Sequence, residues 1–258
     1  MNRFYRITLA AALACALTFC LNSCLNRTVK TSETQEETTE ETLAEPVYSP
    51  GDQVPDEWIL KRGASSFFSV SPLGDELFAL MQGRSYKEGC PVAREDLRYL
   101  TALHRDSLGR SLVGEMVVNK DIADDVIAIL EALYDASYPI EKMRLVDWYD
   151  ADDHASMLDN NSSAFNYRPR AHQKGVISKH ALGLAIDINP LYNPYCLTTE
   201  DGRLIVEPAE ARQYANRDFR HPYKIEKGDL CWTPFRERGF WWGGGWANRT
   251  KDYQHFEK

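Results

Sequence analysis

The sequence predicts an α+β fold, a small antiparallel sheet with helices packed on it, and three stretches carry that prediction. Two apolar runs, 97–104 and 112–118, flank Asp106-Ser107-Leu108-Gly109, a hairpin signal with glycine near the end of the turn. After Asn119, the side chains Ile122, Val126, Ile129, Leu130 and Leu133 recur at helical spacing, and Pro139 closes that helix. Leu184-Ala185-Ile186-Asp187-Ile188 follows Gly183 as a turn entering a short strand. On such a strand Ala185 and Asp187 point to one face and Leu184, Ile186 and Ile188 to the other. The carboxylate then faces a cleft while the aliphatic side holds the strand in the core.

The remaining elements follow in chain order. Arg3 and Arg6 precede an apolar stretch, 7–21, that is too short and too rich in small residues for a membrane span. It ends in Leu21-Asn22-Ser23-Cys24, the pattern of a bacterial lipobox, from which only Asn22 departs slightly. Residues 1–23 are therefore expected to be a lipoprotein signal peptide. Cleavage leaves a lipidated Cys24, so the protein is expected to be exported and membrane-anchored in the bacterial cell envelope. An ordinary secretory signal is the alternative, and it too leads out of the cytoplasm. Residues 24–46 are expected to be an acidic disordered tether, since 31–46 hold six glutamates, no basic residue and almost nothing to bury. The formal net charge of −8 and the absence of any nucleic-acid-binding motif exclude a nucleic-acid partner. Residues 47–88, punctuated by Pro55 and Pro72, contain Trp58, Phe67, Phe68 and Phe78 and are expected to be an N-terminal extension that packs on the domain formed by 89–258.

Within that domain, 143–146 reads as a strand leading to the acidic run 147–153. That run lacks the glycine and the terminal glutamate of an EF-hand loop and is expected to be a solvated loop near the cleft. The stretch 192–230 reads as loop-rich, with a short helix at 208–214, and 230–238 as helical. The segment 252–257 reads as a strand end. Cys90, Cys196 and Cys231 remain after processing; they lack zinc-knuckle spacing and are expected to be buried structural cysteines.

The chemistry concentrates in the last third. His180, Asp187 and His255 supply three ligands of the kind a catalytic Zn²⁺ takes, which leaves the fourth position for water. Asp252 lies three residues before the last ligand, placed to take a proton from that water. Trp241, Trp242 and Trp246 are interrupted by Gly243-Gly244-Gly245 and offer flat apolar walls for sugars or peptide stems. Trp242 is taken as the substrate-binding one of the three, with core packing as the alternative. Glu257 is a candidate acceptor for a ligand histidine on position alone, with a surface carboxylate as the alternative.

The order Ser178, His180, Gly183, Ala185, Asp187, then Asp252 and His255, spells S-x-H-x-x-G-x-A-x-D followed by an acidic-x-x-His element. By these motifs the chain resembles the zinc D-alanyl-D-alanine carboxypeptidases and L-alanyl-D-glutamate endopeptidases, VanY-type enzymes and phage endolysins among them. Ser163-Ala164-Phe165-Asn166-Tyr167-Arg168 and the glycine–tryptophan run 239–246 look similar too, and the resemblance covers roughly residues 90–258. It implies a DD-peptidase/hedgehog-like fold with one Zn²⁺ in a cleft, held by His180, Asp187 and His255. It implies Asp252 as catalytic base, Arg168 as the cation that steadies the substrate carbonyl, and Ser178 as a substrate contact. The implied substrate is the stem peptide of bacterial peptidoglycan. Carboxypeptidases of the family often carry glutamate with tryptophan before the last ligand, whereas endopeptidases more often carry Asp-x-x-His. Asp252-Tyr253-Gln254-His255 therefore points to the L-alanyl-D-glutamate endopeptidase, with D-alanyl-D-alanine carboxypeptidase as the alternative. A non-catalytic zinc-containing wall-binding module is the third reading. It predicts a missing base or cation, and Asp252 and Arg168 are both present.

Overall fold

The two apolar runs flanking Asp106–Gly109 become a long hairpin of β2 (Leu97–Arg105) and β3 (Ser111–Asn119), preceded in the chain by α1 (Asp56–Arg62), β1 (Ser69–Pro72) and α2 (Asp75–Met81). The computed structural model describes residues 45–168 and 177–258, so the expected signal peptide and nearly all of the tether lie outside the described residues. β1 pairs antiparallel with β2, and the extension thus supplies the third strand of a sheet ordered β1-β2-β3. Helix α3 (Lys120–Asp135) follows β3 directly, and the Asn119 side chain accepts a hydrogen bond from the Asp121 amide as its cap. The five side chains predicted for its buried face are buried, together with Ala123 and Tyr134. Each large apolar side chain so buried contributes about 1.5–3 kcal/mol, which outweighs the few tenths per residue of helix propensity.

The strand expected at 143–146 stops early. β4 (Lys142–Met143) forms a short parallel pair with β5 (Asn161–Ser162) beyond α4 (Asp153–Leu158). Next to Met143, the Asn161 side chain takes both backbone groups of Arg144: Oδ1 accepts from its amide at 2.8 Å and Nδ2 donates to its carbonyl at 2.9 Å. A 3-10 turn, Val146–Tyr149, follows. The acidic run is also less solvated than expected. Asp147 is buried and accepts from the amide and hydroxyl of Ser85, Asp152 caps α4, and Asp153 reaches the cleft.

The last third builds two more three-stranded sheets from β6 (Ala185–Asp187), β7 (Tyr195–Thr198), β8 (Leu204–Glu207), β9 (Trp241–Trp242), β10 (Thr250–Asp252) and β11 (His255–Glu257), with α5 (Trp232–Glu237) before β9. One sheet runs β6-β11-β9 and the other β10-β7-β8. The stretch expected to be loop-rich thus contains a hairpin, and the segment 252–257 is two strands in two sheets rather than one. The short helix expected at 208–214 is a 3-10 run, Ala209–Ala215. Ile186, Ile188, Phe235, Phe240 and Phe256 are fully buried against α3 in one core, where the Phe235 and Phe256 rings stack at 3.9 Å. Cys196 and Cys231 are buried, Cys90 is half-buried, and all three are free thiols. Among the described residues no helix is long and apolar enough to cross a membrane.

Candidate metal centre

Period-two alternation across β6-β11-β9 sorts its side chains onto two faces. Ile186 stands opposite Phe256, which stands opposite Trp242, and these three pack into the core. His255 stands opposite Asp187, and Glu257 stands between Ala185 and Trp241, on the other face. His180 comes from the 3-10 turn His180–Leu182, which precedes β6. Gly183 ends that turn at φ +68°, and a Cβ there would lie 2.7 Å from the Asn119 amide nitrogen. That amide donates to the Gly183 carbonyl at 2.9 Å, so the ligand-bearing turn is pinned to the end of β3.

Three groups converge. His180 Nε2 lies 3.1 Å from His255 Nδ1 and 3.1 Å from Asp187 Oδ2, and His255 Nδ1 lies 3.1 Å from Asp187 Oδ1. All three residues are buried, and their ligand atoms fit within 4.8 Å of one another. The outer ring nitrogens fix the tautomers. His180 Nδ1 faces the Ala164 carbonyl at 2.7 Å, and His255 Nε2 faces Glu257 Oε2 at 3.1 Å. Each of those nitrogens must carry a hydrogen, because a carbonyl or carboxylate oxygen only accepts. In the neutral rings two lone pairs and a carboxylate then point at one another, an arrangement suited to a cation at its centre. Burial opposes charge on His255, yet the hydrogen bonds to Asp187 and Glu257 hold its pKa up to about 10. Burial likewise raises the Asp187 carboxyl, but the two histidines carry it well below the usual carboxylate range. Two imidazole nitrogens, a carboxylate and outer acceptors on both rings fit Zn²⁺ as donors.

Asp252 enters from the neighbouring sheet, in register with Tyr195, which is itself opposite Glu207. Gly243 makes room for it, since a Cβ there would lie 2.6 Å from the Asp252 carbonyl oxygen and 2.8 Å from its Cβ. Asp252 Oδ1 is sealed from solvent and has no hydrogen-bond partner. Burial raises its carboxyl to about 6, with His255 opposing and the Asp187 charge adding. Arg168 lines the same cleft, where Asp153 Oδ2 accepts from its Nη2 at 2.8 Å while its buried Nε has no partner. Ser178 also lines it, and its Oγ accepts from the His180 amide at 3.3 Å, capping the ligand turn.

Trp242 is placed differently from the expectation. It lies on the core face, half-buried, with Nε1 donating to the Tyr253 carbonyl at 2.9 Å, and Gly244 packs under its ring. Trp246 lines the cleft instead, its ring 5.6 Å from that of His255. The cleft, of about 300 Å³, also gathers Met157, Tyr195, Glu207, Asn248 and Gln254, none of which the sequence reading had singled out. For Tyr195 and Glu207 a signal existed: Asp201-Gly202 between two β-prone runs marks a hairpin that would have set them side by side.

Residues 171–258 match the family model described as D-alanyl-D-alanine carboxypeptidase. No curated protein and no solved structure matches the chain. The matched segment holds His180, Asp187, Asp252 and His255, while Arg168 and its partner Asp153 lie just upstream of it. The match supports a peptidase of the class that acts on cell-wall peptidoglycan.

Proposed function

We propose that the chain is a zinc metallopeptidase that cuts the L-alanyl-D-glutamate bond of peptidoglycan stem peptides. One observation carries the reading: a group of three candidate metal ligands and Asp252, whose sealed Oδ1 has no hydrogen-bond partner, share a single cleft. Zn²⁺ bound by His180, Asp187 and His255 supplies a Lewis acid and a water with a pKa lowered to about 7. Ala164 and Glu257 hold the two imidazoles in the tautomers that bind it. Asp252 accepts the proton of the attacking water and returns it to the leaving amine, a task suited to a carboxylate raised toward neutrality. Arg168, aimed by Asp153, steadies the peptide oxygen as it takes on negative charge. Ser178 orients the substrate backbone from the edge of the ligand turn.

The family description favours a second reading, hydrolysis of the terminal D-alanyl-D-alanine bond. Asp252-Tyr253-Gln254-His255 supports the endopeptidase over it. We also propose that the chain is exported and tethered through a lipidated Cys24 and the acidic segment that follows, a reading supported by Leu21-Asn22-Ser23-Cys24 and the glutamate run. The test of the peptidase reading is mass spectrometry of products from purified peptidoglycan, with and without a chelator. Stems beginning at D-glutamate establish the endopeptidase, and loss of a terminal D-alanine establishes the carboxypeptidase. No chelator-sensitive product from varied walls refutes both and leaves the wall-binding module.

A further inference from the structure

We propose that Trp241, backed by Arg236, is a stacking platform for the glycan strand that carries the stem peptide. The proposal rests on the endopeptidase reading and extends the substrate beyond the cleft.

Trp241 stands directly opposite Glu257 in the β9–β11 register, so its side chain emerges on the face that carries Asp187 and His255. It is 67 % exposed, although the other aromatic side chain of its strand is turned into the core. The Arg236 guanidinium sits 5.0 Å from the Trp241 ring centre and 5.9 Å from that of Trp232, and its Nη1 donates to the Phe240 carbonyl at 2.8 Å. A cation tied to the backbone and stacked between two indoles holds the outer indole in place. A fixed, exposed, uncharged aromatic plane matches the C–H face of a pyranose ring.

Spacing selects the occupant. Trp241 is one strand across and two residues along from His255, about 8 Å between Cα atoms. L-alanine joins the stem to the glycan, so a peptidase cutting just after it works within roughly one extended residue, about 3.5 Å, of that attachment. A bond cut at the far end of the stem would leave the glycan several residues from this platform.

The test uses the full chain and an N-acetylglucosamine tetramer, followed by tryptophan fluorescence. The expected result is a saturable change in the native protein, weakened about tenfold in Trp241→Ala and retained in Trp241→Phe, as a stacking contact at the upper end of aromatic pair energies gives. In kinetics, Trp241→Ala is expected to lose at least about fivefold more kcat/KM on glycan-linked stems than on glycan-free stem peptide, mainly through KM. No response to the tetramer, or equal losses on both substrates, overturns the platform. Trp241-dependent binding to phosphatidylglycerol vesicles without tetramer binding overturns it in favour of a lipid surface. Trp241-dependent tetramer binding by a protein that cuts no stem keeps the platform and removes the peptidase reading instead.

Discussion

Replacing Gly183 by alanine tests whether the contact with β3 holds the ligand turn. The new side chain meets two difficulties. At φ +68° an L-residue sits in the left-handed region, which costs about 1–2 kcal/mol. Its Cβ would also lie 2.7 Å from the Asn119 nitrogen and 3.3 Å from the Val118 carbonyl carbon, both backbone atoms at the end of β3. Overpacking of that kind costs about 1–3 kcal/mol, which brings the whole to about 2–5 kcal/mol. Gly202 provides the control, because it has φ +83° and nothing within 4 Å of a Cβ. Gly202→Ala therefore carries only the backbone part, about 1–2 kcal/mol. Urea unfolding of the three proteins separates the two contributions, and thermal melts should follow at about 2–4 °C per kcal/mol for a domain of this size. Zinc retained after dialysis against a weak chelator should fall in Gly183→Ala and stay native in Gly202→Ala. Equal destabilisation by the two substitutions, with zinc intact in both, would show that the approach to Asn119 does not position His180.

Further outcomes can be read on the same preparations. Glu257→Gln removes the carboxylate from His255 Nε2 and should weaken zinc binding about 10–100-fold in chelator competition, whereas an unchanged affinity would make Glu257 a bystander. Asp252→Asn should keep zinc and lose hydrolysis by at least about a hundredfold, and wild-type rates in that variant would remove the base assignment. His180→Ala or Asp187→Asn should leave less bound metal after dialysis, and full occupancy in both would refute the ligand set. Burial pushes the pKa of His104 down to about 4 from 6.5, against its hydrogen bond to the Ile140 carbonyl. Below pH 6.5 the unfolded chain binds a proton that the folded chain refuses, so stability from this residue is full above 6.5 and drains away as pH falls toward 4, by about 3 kcal/mol in all. Urea midpoints between pH 7 and 4.5 should fall less steeply in His104→Gln, and parallel slopes would contradict the buried neutral ring.

What the sequence made legible was what local physics decides. The β2–β3 hairpin followed from two apolar runs around the turn Asp106–Gly109, α3 from a single apolar stripe after Asn119, and the strand carrying Asp187 from Gly183 and the aliphatic run after it. The convergence of His180, Asp187 and His255 was visible as residue types at a recognisable spacing, although His180 and His255 meet only through the pairing of β6 with β11. Register was out of reach. Trp241 and Trp242 are chemically identical neighbours, and only the partner opposite each one, Glu257 or Phe256, decides which faces solvent and which the core. Asp147 offered no local sign of burial, because the Ser85 groups that satisfy it lie 62 residues away. The strand expected at 143–146 was lost to a side chain, Asn161, that competes for the backbone of Arg144.

Asp252 and His255 are three residues apart in the chain but lie in different sheets, with Tyr253 and Gln254 turning the corner between them. The proposed grip on the ion and the proposed proton acceptor are therefore mechanically independent parts. Sliding β10 by one residue against β7 would swing Asp252 to the opposite face of its sheet while β6, β11 and the histidines stayed in place. With the roles proposed above, a scaffold wired in this way would surrender hydrolysis and still hold an ion, so a single register slip would separate a blade from a clasp.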